Sequence, residues 1–512
     1  MLEEHQEHLM FFGKQKHKYM YKDGILTISD WTKGMGDSAY TGFANISNCE
    51  VFDTPGIAKM AYSAINAGST SMTDIPVAQV RDSYGSIFVL SFDGKVYKNG
   101  TLSTTIGGTG YDLCIYNDYL IVSTYTTGIG KLHAYGPLNN APQWFTNWQT
   151  GFNTGKNYYM KLIPAKDGNL YITSADSIGK ISNFSGGIPA VTPTATSNTS
   201  VMLLPTNNAC VTAVEVGSYM LIGTQGLTGS WSSRNNSSVA NLYLWDKADT
   251  KPTSLTGSLN ENSIQSMISY GNRVYIVAGN KGNLYVTDTN TFQKIKRIPW
   301  KQQETRSDLL MQAYPNAICF NELGNLLIGT STQSFSSGAS TYQHGVWEIS
   351  LSNNYPTVFK HKVSNGSLGQ STPLYIGFLT QSLGSIFIGW SDGSTYAVDY
   401  IYPNSFGSSV SVIESQMLQV GSRLNRKIFQ NIEFTLGKPL ADTQTITISY
   451  RKNLTENYTQ IGTFSYSTLG SVISHNTKAL IDEAEILQIK IQLSQPSATQ
   501  IGNIELLKVT IW

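Results

Sequence analysis

The chain has 512 residues, of which 40% are hydrophobic, 11% aromatic and only 13% charged. Its 35 basic and 34 acidic residues give a net charge of +1, so little long-range attraction to nucleic acid or anionic lipid is expected. No run of about 18 apolar residues occurs, so no membrane-spanning helix is predicted. The charged start MLEEHQEHLMFFGKQKHK has no apolar core of sufficient length, and no secretory signal is expected.

Residues 1–70 are predicted to form an extended N-terminal arm that serves assembly. The stretch 30–60 has no helical period and no regular strand alternation, and many of its residues are small. It nevertheless carries four large aromatic side chains, which are costly to leave in water. They are Trp31, Tyr40, Phe43 and Phe52. Either the arm packs back on its own chain and these residues are ordinary core, or it crosses to a neighbouring subunit and they are intersubunit anchors.

A repeated phrase follows the arm and is the most informative feature of the sequence. Each copy has a strand, a turn, a strongly apolar central strand ending in small residues, a second turn and a strand with an aromatic residue. Glycine, asparagine and aspartate mark the turns. The seven central strands are predicted at 87–91, 119–124, 170–174, 219–224, 274–279, 326–331 and 386–390.

The spacing of these copies predicts a β-propeller over residues 71–421. Most central strands begin about 50 residues apart, which is the size of a propeller blade. Apolar character along the whole central strand is expected there, because neighbouring blades cover both of its faces. Seven blades are predicted, with six or eight as alternatives and a pair of β-sandwiches as the structural runner-up.

Residues 422–512 have a different pattern and are predicted to form a C-terminal antiparallel β-sandwich, with a jelly-roll-like module as one form of it. Segments such as TITISY and ILQIKIQL alternate strongly and are longer than the blade strands. Modules of this kind bind carbohydrate or another protein, and nothing in the residues selects between the two. The predicted fold class is therefore all-β throughout.

Motifs for catalysis or cofactor binding are not found. No HExxH, GxSxG or Walker-type pattern occurs, and the glycine-rich piece 104–112 is interpreted as a loop between blades. We predict no catalytic residues, no metal site, no cofactor and no enzymatic activity. Four widely spaced cysteines are predicted to be reduced thiols packed as small hydrophobic residues: Cys49, Cys114, Cys210 and Cys319.

The two ends of the chain resemble structural proteins of tailed bacteriophages. Many of those proteins begin with a short strand, a turn in which glycine is followed after one or two residues by Asp and then Ser or Pro, an N-x-x-N segment that precedes a small strand, and a P-G turn. The matching residues here are Gly34, Asp37, Ser38, Asn45, Asn48, Pro55 and Gly56. The C-terminal FQNIEFTLGKPL also resembles the distal β-module of propeller-bearing phage tail proteins.

This resemblance implies a virion structural protein of the tail nozzle or tail-tip type. Such a protein would assemble in the host cytoplasm as a ring of copies at the DNA exit channel and would hold neighbouring tail proteins. No specific nucleic-acid binding is expected. A receptor- or glycan-binding tail protein is the alternative, with Trp231 as the candidate surface-binding residue, and a propeller glycosidase is a further one.

Overall fold

The computed structural model describes most of the chain. The described residues are 19–22, 25–36, 42–67, 72–186, 192–226, 239–279, 282–298, 311–332, 345–352, 354–364, 374–402, 409–420, 426–495 and 503–512. They are almost entirely β-structure, as the sequence predicts.

The N-terminal arm consists of short strands, and some of them pair with strands from the C-terminal part of the chain. The strands are β1 (Tyr19–Lys22), β2 (Ile25–Ile28), β3 (Asn45–Ser47), β4 (Cys49–Glu50) and β5 (Ala58–Met60), with a 3-10 helix at Trp31–Lys33 and β6 (Ile65–Asn66) after them. Strand β2 pairs with the last strand of the chain, and β5 pairs with the same strand. Strands β2 and β5 of the arm therefore pair with a strand that lies more than 400 residues away in the sequence.

Six of the predicted repeats form separate four-stranded antiparallel sheets. In chain order the first five are β7–β10 (Pro76–Arg81, Ile87–Ser91, Lys95–Lys98, Thr101–Thr105), β11–β14 (Thr109–Tyr116, Tyr119–Thr126, Ile129–Gly136, Gln143–Phe152), β15–β18 (Leu162–Pro164, Leu170–Ser174, Ser177–Ser185, Thr194–Leu203), β19–β22 (Asn208–Val216, Tyr219–Gly226, Ala240–Trp245, Ser254–Leu259) and β23–β26 (Ile264–Tyr270, Arg273–Ala278, Asn283–Thr287, Phe292–Arg297). We call them repeats 1 to 5.

The sixth repeat is not a separate sheet. Its strands are β27 (Met311–Gln312), β28 (Ile318–Phe320), β29 (Leu326–Thr332), β30 (Gly345–Ile349) and β31 (Thr357–His361), and they belong to a larger sheet of 11 strands. Strand β31 is shared between two compact units, because residues 356–358 belong to one of them and residue 359 onward to the other. The arrangement thus has six independent blades instead of the predicted seven.

The seventh repeat is closed by the arm. Strands β32 (Tyr375–Ser382), β33 (Ser385–Ser391) and β34 (Tyr396–Ile401) form a sheet whose outermost strand is β6. Asn66 pairs with Asp399 and Ile65 with Tyr400. Without β6 this sheet would have only three strands and an unpaired edge at β34. The short β6 covers that edge.

Close packing between neighbouring repeats requires glycine at two positions in first strands. A Cβ atom at Gly377 in β32 would lie 2.0 Å from the carbonyl oxygen of Pro76, at the start of β7. Gly110 in β11 would similarly place a Cβ 2.5 Å from the carbonyl oxygen of Ser91. Only glycine permits these approaches, and the first of them joins repeat 7 to repeat 1.

The C-terminal strands form two antiparallel sheets. They are β35 (Ser409–Glu414), β36 (Leu418–Gln419), β37 (Lys427–Leu436), β38 (Thr445–Arg451), β39 (Thr459–Ser465), β40 (Ser474–Ala484), β41 (Ile486–Gln495) and β42 (Glu505–Ile511), with helix α1 at Tyr466–Leu469. One sheet has the order β1-β2-β42-β37-β40, and the other contains β3-β35-β41-β38-β39. The rings of Phe434 in β37 and Phe464 in β39 lie 4.8 Å apart, so the inner faces of the two sheets are in contact.

The chain divides into two compact units. Unit 1 comprises residues 1–61, 356–358 and 406–512, and unit 2 comprises residues 62–355 and 359–405. The predicted arm, propeller and sandwich were three consecutive segments, whereas residues 1–61 of the arm belong to one unit with the C-terminal strands and β6 belongs to the other unit. The reason is strand pairing, because β2, β3 and β5 find their partners among the C-terminal strands.

Candidate functional site

Two of the four candidate anchors lie in the core of unit 1. The side chains of Trp31 and Phe43 are 0% and 1% exposed, and their rings stack with centroids 5.7 Å apart. The indole Nε1 of Trp31 donates to the carbonyl oxygen of Leu507 in β42 at 3.1 Å. Their own chain covers both rings, so the intrachain alternative describes Trp31 and Phe43, and neither ring is accessible as an anchor for an adjacent chain.

Of the other three candidate residues, only Phe52 lies in the described part of the chain. Phe52 is half-buried in the turn region between β4 and β5 and stays a candidate anchor. Tyr40 and Trp231 lie outside the described residues.

The four cysteines are buried thiols without a disulfide. Burial raises the pKa of Cys49 and of Cys319 to about 12, and it raises the pKa of Cys114 and Cys210 as well. A thiol held neutral in this way is a weak nucleophile. Their packing role agrees with the prediction.

A polar cluster joins the inner strands of the propeller. The Nδ2 of Asn316, just before β28, lies 2.9 Å from Oδ1 of Asp112, 3.0 Å from the hydroxyl oxygen of Tyr159 and 3.1 Å from the carbonyl oxygen of Val77, and its two N–H groups donate to these three acceptors. Lys161 Nζ donates to the Asn316 side-chain oxygen. Residues from repeats 1, 2 and 6 and from the entry to repeat 3 therefore meet at one point. We call Asp112, Tyr159, Lys161 and Asn316 the inner cluster.

Asp112 is the only carboxylate in the inner cluster. Burial raises its pKa, whereas the charge of Lys161 and three N–H donors act in the opposite direction. Those donors are the backbone N–H groups of Leu113 and Leu162 and the amide of Asn316, at 2.8–3.0 Å. With its oxygens held by fixed donors, the carboxylate fastens neighbouring repeats to one another. The sequence interpretation missed it, although an aspartate inside the apolar strand pattern YDLCIY was a usable signal.

The turns between first and second strands lie on one face of the propeller, because the first three strands of each repeat follow one another in the same order. In five consecutive repeats this turn, or the strand residue next to it, exposes a large apolar or aromatic side chain. We call these residues the apolar arc: Tyr219 (40% exposed), Tyr270 (52%), Leu323 (55%), Leu383 (78%) and Tyr84 (56%), from repeats 4, 5, 6, 7 and 1.

Repeats 2 and 3 complete the same face with polar turns, which we call the polar arc. Asn117 and Asp118 form the turn of repeat 2, and Lys166 and Asp167 lie in that of repeat 3. The two turns are joined, because the Tyr116 hydroxyl donates to the carbonyl oxygen of Gly168 at 2.7 Å.

A cleft of about 370 Å³ opens beside the polar arc. It is lined by Asn117, Asp118, Tyr119, Pro137, Asn139, Phe184, Ser185 and Gly186. The ring of Phe184 is held by edge contacts with Tyr116, Tyr119 and Trp148 at centroid distances of 5.3, 5.2 and 5.5 Å. The cleft therefore has a fixed aromatic wall and a rim of amide, hydroxyl and carboxylate groups.

Neither a metal cluster nor a membrane-spanning helix is observed in the part of the chain that the structure describes. No group of three or more His, Cys, Asp or Glu side chains is placed there to hold a metal ion. No helix among the same residues is long and apolar enough to cross a membrane.

Comparison with known proteins adds solved structures but no family. No protein-family model and no curated protein matches the chain. It is similar to an exo-β-1,3-galactanase from Phanerochaete chrysosporium, at 12% identity and a TM-score of 0.27, covering 86% of this chain and 99% of that one. An arabinoxylan arabinofuranohydrolase of glycoside hydrolase family 43 from Bacillus subtilis gives 8% identity, a TM-score of 0.29, and coverage of 88% and 98%.

A third similar structure is the extracellular domain of a hybrid two component system from B. thetaiotaomicron. It shares 13% identity at a TM-score of 0.42, over 92% of this chain and 62% of that one.

The prediction of no enzymatic activity rested on the absence of catalytic motifs. It is wrong, because the structures to which this chain is similar include the two glycoside hydrolases. Identities of 12% and 8% with TM-scores of 0.27 and 0.29 concern the fold alone. They assign neither an activity nor a substrate to this chain, since one fold supports many functions.

Proposed function

We propose that this chain is a structural subunit of a tailed-bacteriophage tail, of the nozzle or tail-tip type. It assembles as a ring of copies in the host cytoplasm and holds neighbouring tail proteins in the virion. The observation that carries the proposal is the apolar arc, which places five large exposed side chains on one face of the propeller. Three of the five are tyrosines, and aromatic residues are enriched at protein–protein interfaces.

The charge balance supports the same role. A net charge of +1 gives the chain little attraction for DNA passing along an exit channel. Docking by the apolar arc relies on surface burial instead, and the two exposed leucines supply its least polar part.

The test is the mass of the full-length chain in solution beside a double variant, Leu323→Ser with Leu383→Ser. Both leucines are more than half exposed, so the folded monomer is expected to keep its melting temperature. We expect the unchanged chain to form a ring visible by negative-stain electron microscopy and the double variant to shift toward monomer.

Leu255→Ser is the matched control, since Leu255 is 54% exposed but lies in the outer strand β22, away from the arc. The control should assemble like the unchanged chain. A chain that stays monomeric at about 100 µM, well above the dissociation constant of a stable interface, would contradict ring assembly. Equal loss of assembly in the control would contradict the role of the arc.

A further inference from the structure

The cleft beside the polar arc has the composition of a saccharide site. We propose that it binds a neutral oligosaccharide, with Phe184 packing against a sugar ring and the rim side chains hydrogen-bonding its hydroxyl groups. The inference is independent of the assembly proposal, because the cleft lies in repeats 2 and 3 and the apolar arc in the other repeats.

The shape of the cleft fits a small ligand. Its volume of about 370 Å³ falls in the range of small-molecule sites. The cleft is open to solvent, which suits a ligand that is the end of a longer chain. Its aromatic wall is held in place, because the ring of Phe184 makes edge contacts with three aromatic neighbours.

The polar groups of the cleft match hydroxyls. Asn117 and Asn139 are exposed amides that can both donate and accept, and Ser185 adds an exposed hydroxyl. The carboxylate oxygen Oδ2 of Asp118 accepts no hydrogen bond from the residues that the structure describes. A buried acceptor without a donor is costly, and a ligand hydroxyl at the wall of the cleft would satisfy it.

The charge of the lining selects a neutral ligand. Asp118 is its one charged residue, and neither lysine nor arginine contributes to it. A carboxylate, phosphate or sulfate group would therefore be repelled by Asp118 and would find no cation. Sugars with free hydroxyls and no acidic group are the class that fits the cleft.

The geometry of the cleft is fixed by the backbone. Asn117 and Asp118 have φ angles of 47° and 62°, as in the two-residue turns that join β-hairpin strands. A Cβ atom at Gly186 would lie 2.5 Å from the ring of Tyr119, so glycine is required where the chain crosses that ring. Little ordering is needed on binding, which favours affinity.

Saturation-transfer NMR and calorimetric titration of the full-length chain with maltotriose, cellotriose, mannotriose and galactotriose test the proposal. At least one probe is expected to bind with a dissociation constant on the order of 1 mM. Trigalacturonic acid, the acidic counterpart of galactotriose, is expected to bind at least about tenfold more weakly than the best neutral probe.

Two variants locate the binding. Asn139→Trp fills the mouth of the cleft from an exposed position, and Phe184→Ala removes the aromatic wall. Both should abolish binding of the neutral probe. Because Phe184 packs among other aromatic residues and its loss can impair folding, Asn139→Trp is the decisive variant, and melting temperatures are measured for both.

Asn290→Trp is the matched control, since Asn290 is an exposed residue in the corresponding turn of repeat 5. Binding that is lost in Asn139→Trp and kept in Asn290→Trp supports the proposal. Absence of binding by every neutral probe at about 20 mM, well above the expected dissociation constant, overturns it. Binding unchanged in Asn139→Trp, or equal binding of the acidic probe, overturns it as well.

Discussion

The inner strands and the first turns of the propeller use polar residues in opposite ways. Strand β11 contains Asp112, which is 5% exposed and held by three donors, and the turn that follows it presents Asn117 to solvent. Only four residues separate Asp112, which holds repeats together, from Asn117, which is exposed to solvent. Buried polar groups of the inner strands hold the repeats together, whereas polar groups on the turn face are exposed to solvent.

This difference predicts which changes reduce stability and which reduce only binding. Changes to inner strands or to ring closure should lower the free energy of unfolding. Changes on the turn face should leave it nearly unaltered.

The largest effect is expected from removing residues 1–70. This deletion takes away β2 and β5, both partners of β42, and β6, which covers the edge of β34. Both units would lose strands from their sheets, so we expect no cooperative unfolding transition by circular dichroism. Deletion of 1–18 is the control, since it removes no described strand. A chain of residues 71–512 that melts like the full-length protein would contradict the shared arrangement of the termini.

A pH effect of about 3 kcal/mol is expected from His133 in β13. Its ring is 2% exposed, accepts from the backbone N–H of Asn147 at 3.0 Å and lies 2.9 Å from the Thr124 hydroxyl. Burial, with a smaller effect from Lys131, lowers the pKa of His133 from 6.5 to about 4. As pH falls, the unfolded chain therefore binds the proton first, and stability from neutral His133 is present above pH 6.5 and lost toward pH 4.

His133→Gln measures this effect when the free energy of unfolding is followed from pH 7.5 to 4.5. The difference between the unchanged chain and the variant should shrink as the pH falls. His475→Gln, in unit 1, is the control histidine. A difference that is constant with pH would show that His133 does not couple folding to protonation.

Asp112→Asn is expected to cost about 2 kcal/mol, since one of the three donors to the carboxylate would face an NH₂ group in place of an oxygen. Denaturant unfolding followed by intrinsic fluorescence measures the loss. Asp249→Asn serves as control, because Asp249 is exposed and should change stability by no more than about 0.5 kcal/mol. Equal effects of the two substitutions would mean that the inner cluster does not fasten the repeats.

The smallest effect on stability is expected on the turn face. Leu383→Ser, at the most exposed position of the apolar arc, should alter the free energy of unfolding by no more than about 0.5 kcal/mol. The same denaturant measurement tests this value. A loss above about 1 kcal/mol would place Leu383 in the stabilising core and remove the distinction between the turn face and the interior.

The second and third strands of each repeat were predictable because their signals are local. The continuous apolar run 170–174 is a fully buried strand, and the glycine and asparagine turns beside such runs fall where the hairpins turn. By contrast, the prediction that the sixth repeat forms a separate blade is wrong, because residues of β31 belong to both units. An outer strand can pair with strands far away in the sequence, and the local pattern of hydrophobic and turn residues does not predict such pairing.

The candidate sites were only partly predictable. The aromatic residues of the arm suggested burial, but the sequence could not say whether their own chain or a neighbour covers them. The stacking of Trp31 on Phe43 and the bond to Leu507 settle this for those two residues. The cleft escaped the sequence interpretation because Asn117, Asn139 and Phe184 come from three different strand ends, and none of them is unusual in its local context.

By itself, the sequence determined the all-β class, the repeating hairpins and the distinct C-terminal strands, since hydrophobic period and turn residues act over a few positions. Only the tertiary structure decided that β6 closes the last blade, that both ends of the chain build one unit, and that Asp112 meets Asn316. Strand edges and buried charges require partners, and nearest neighbours along the chain could not supply them. The fold brought those partners together across more than 200 residues.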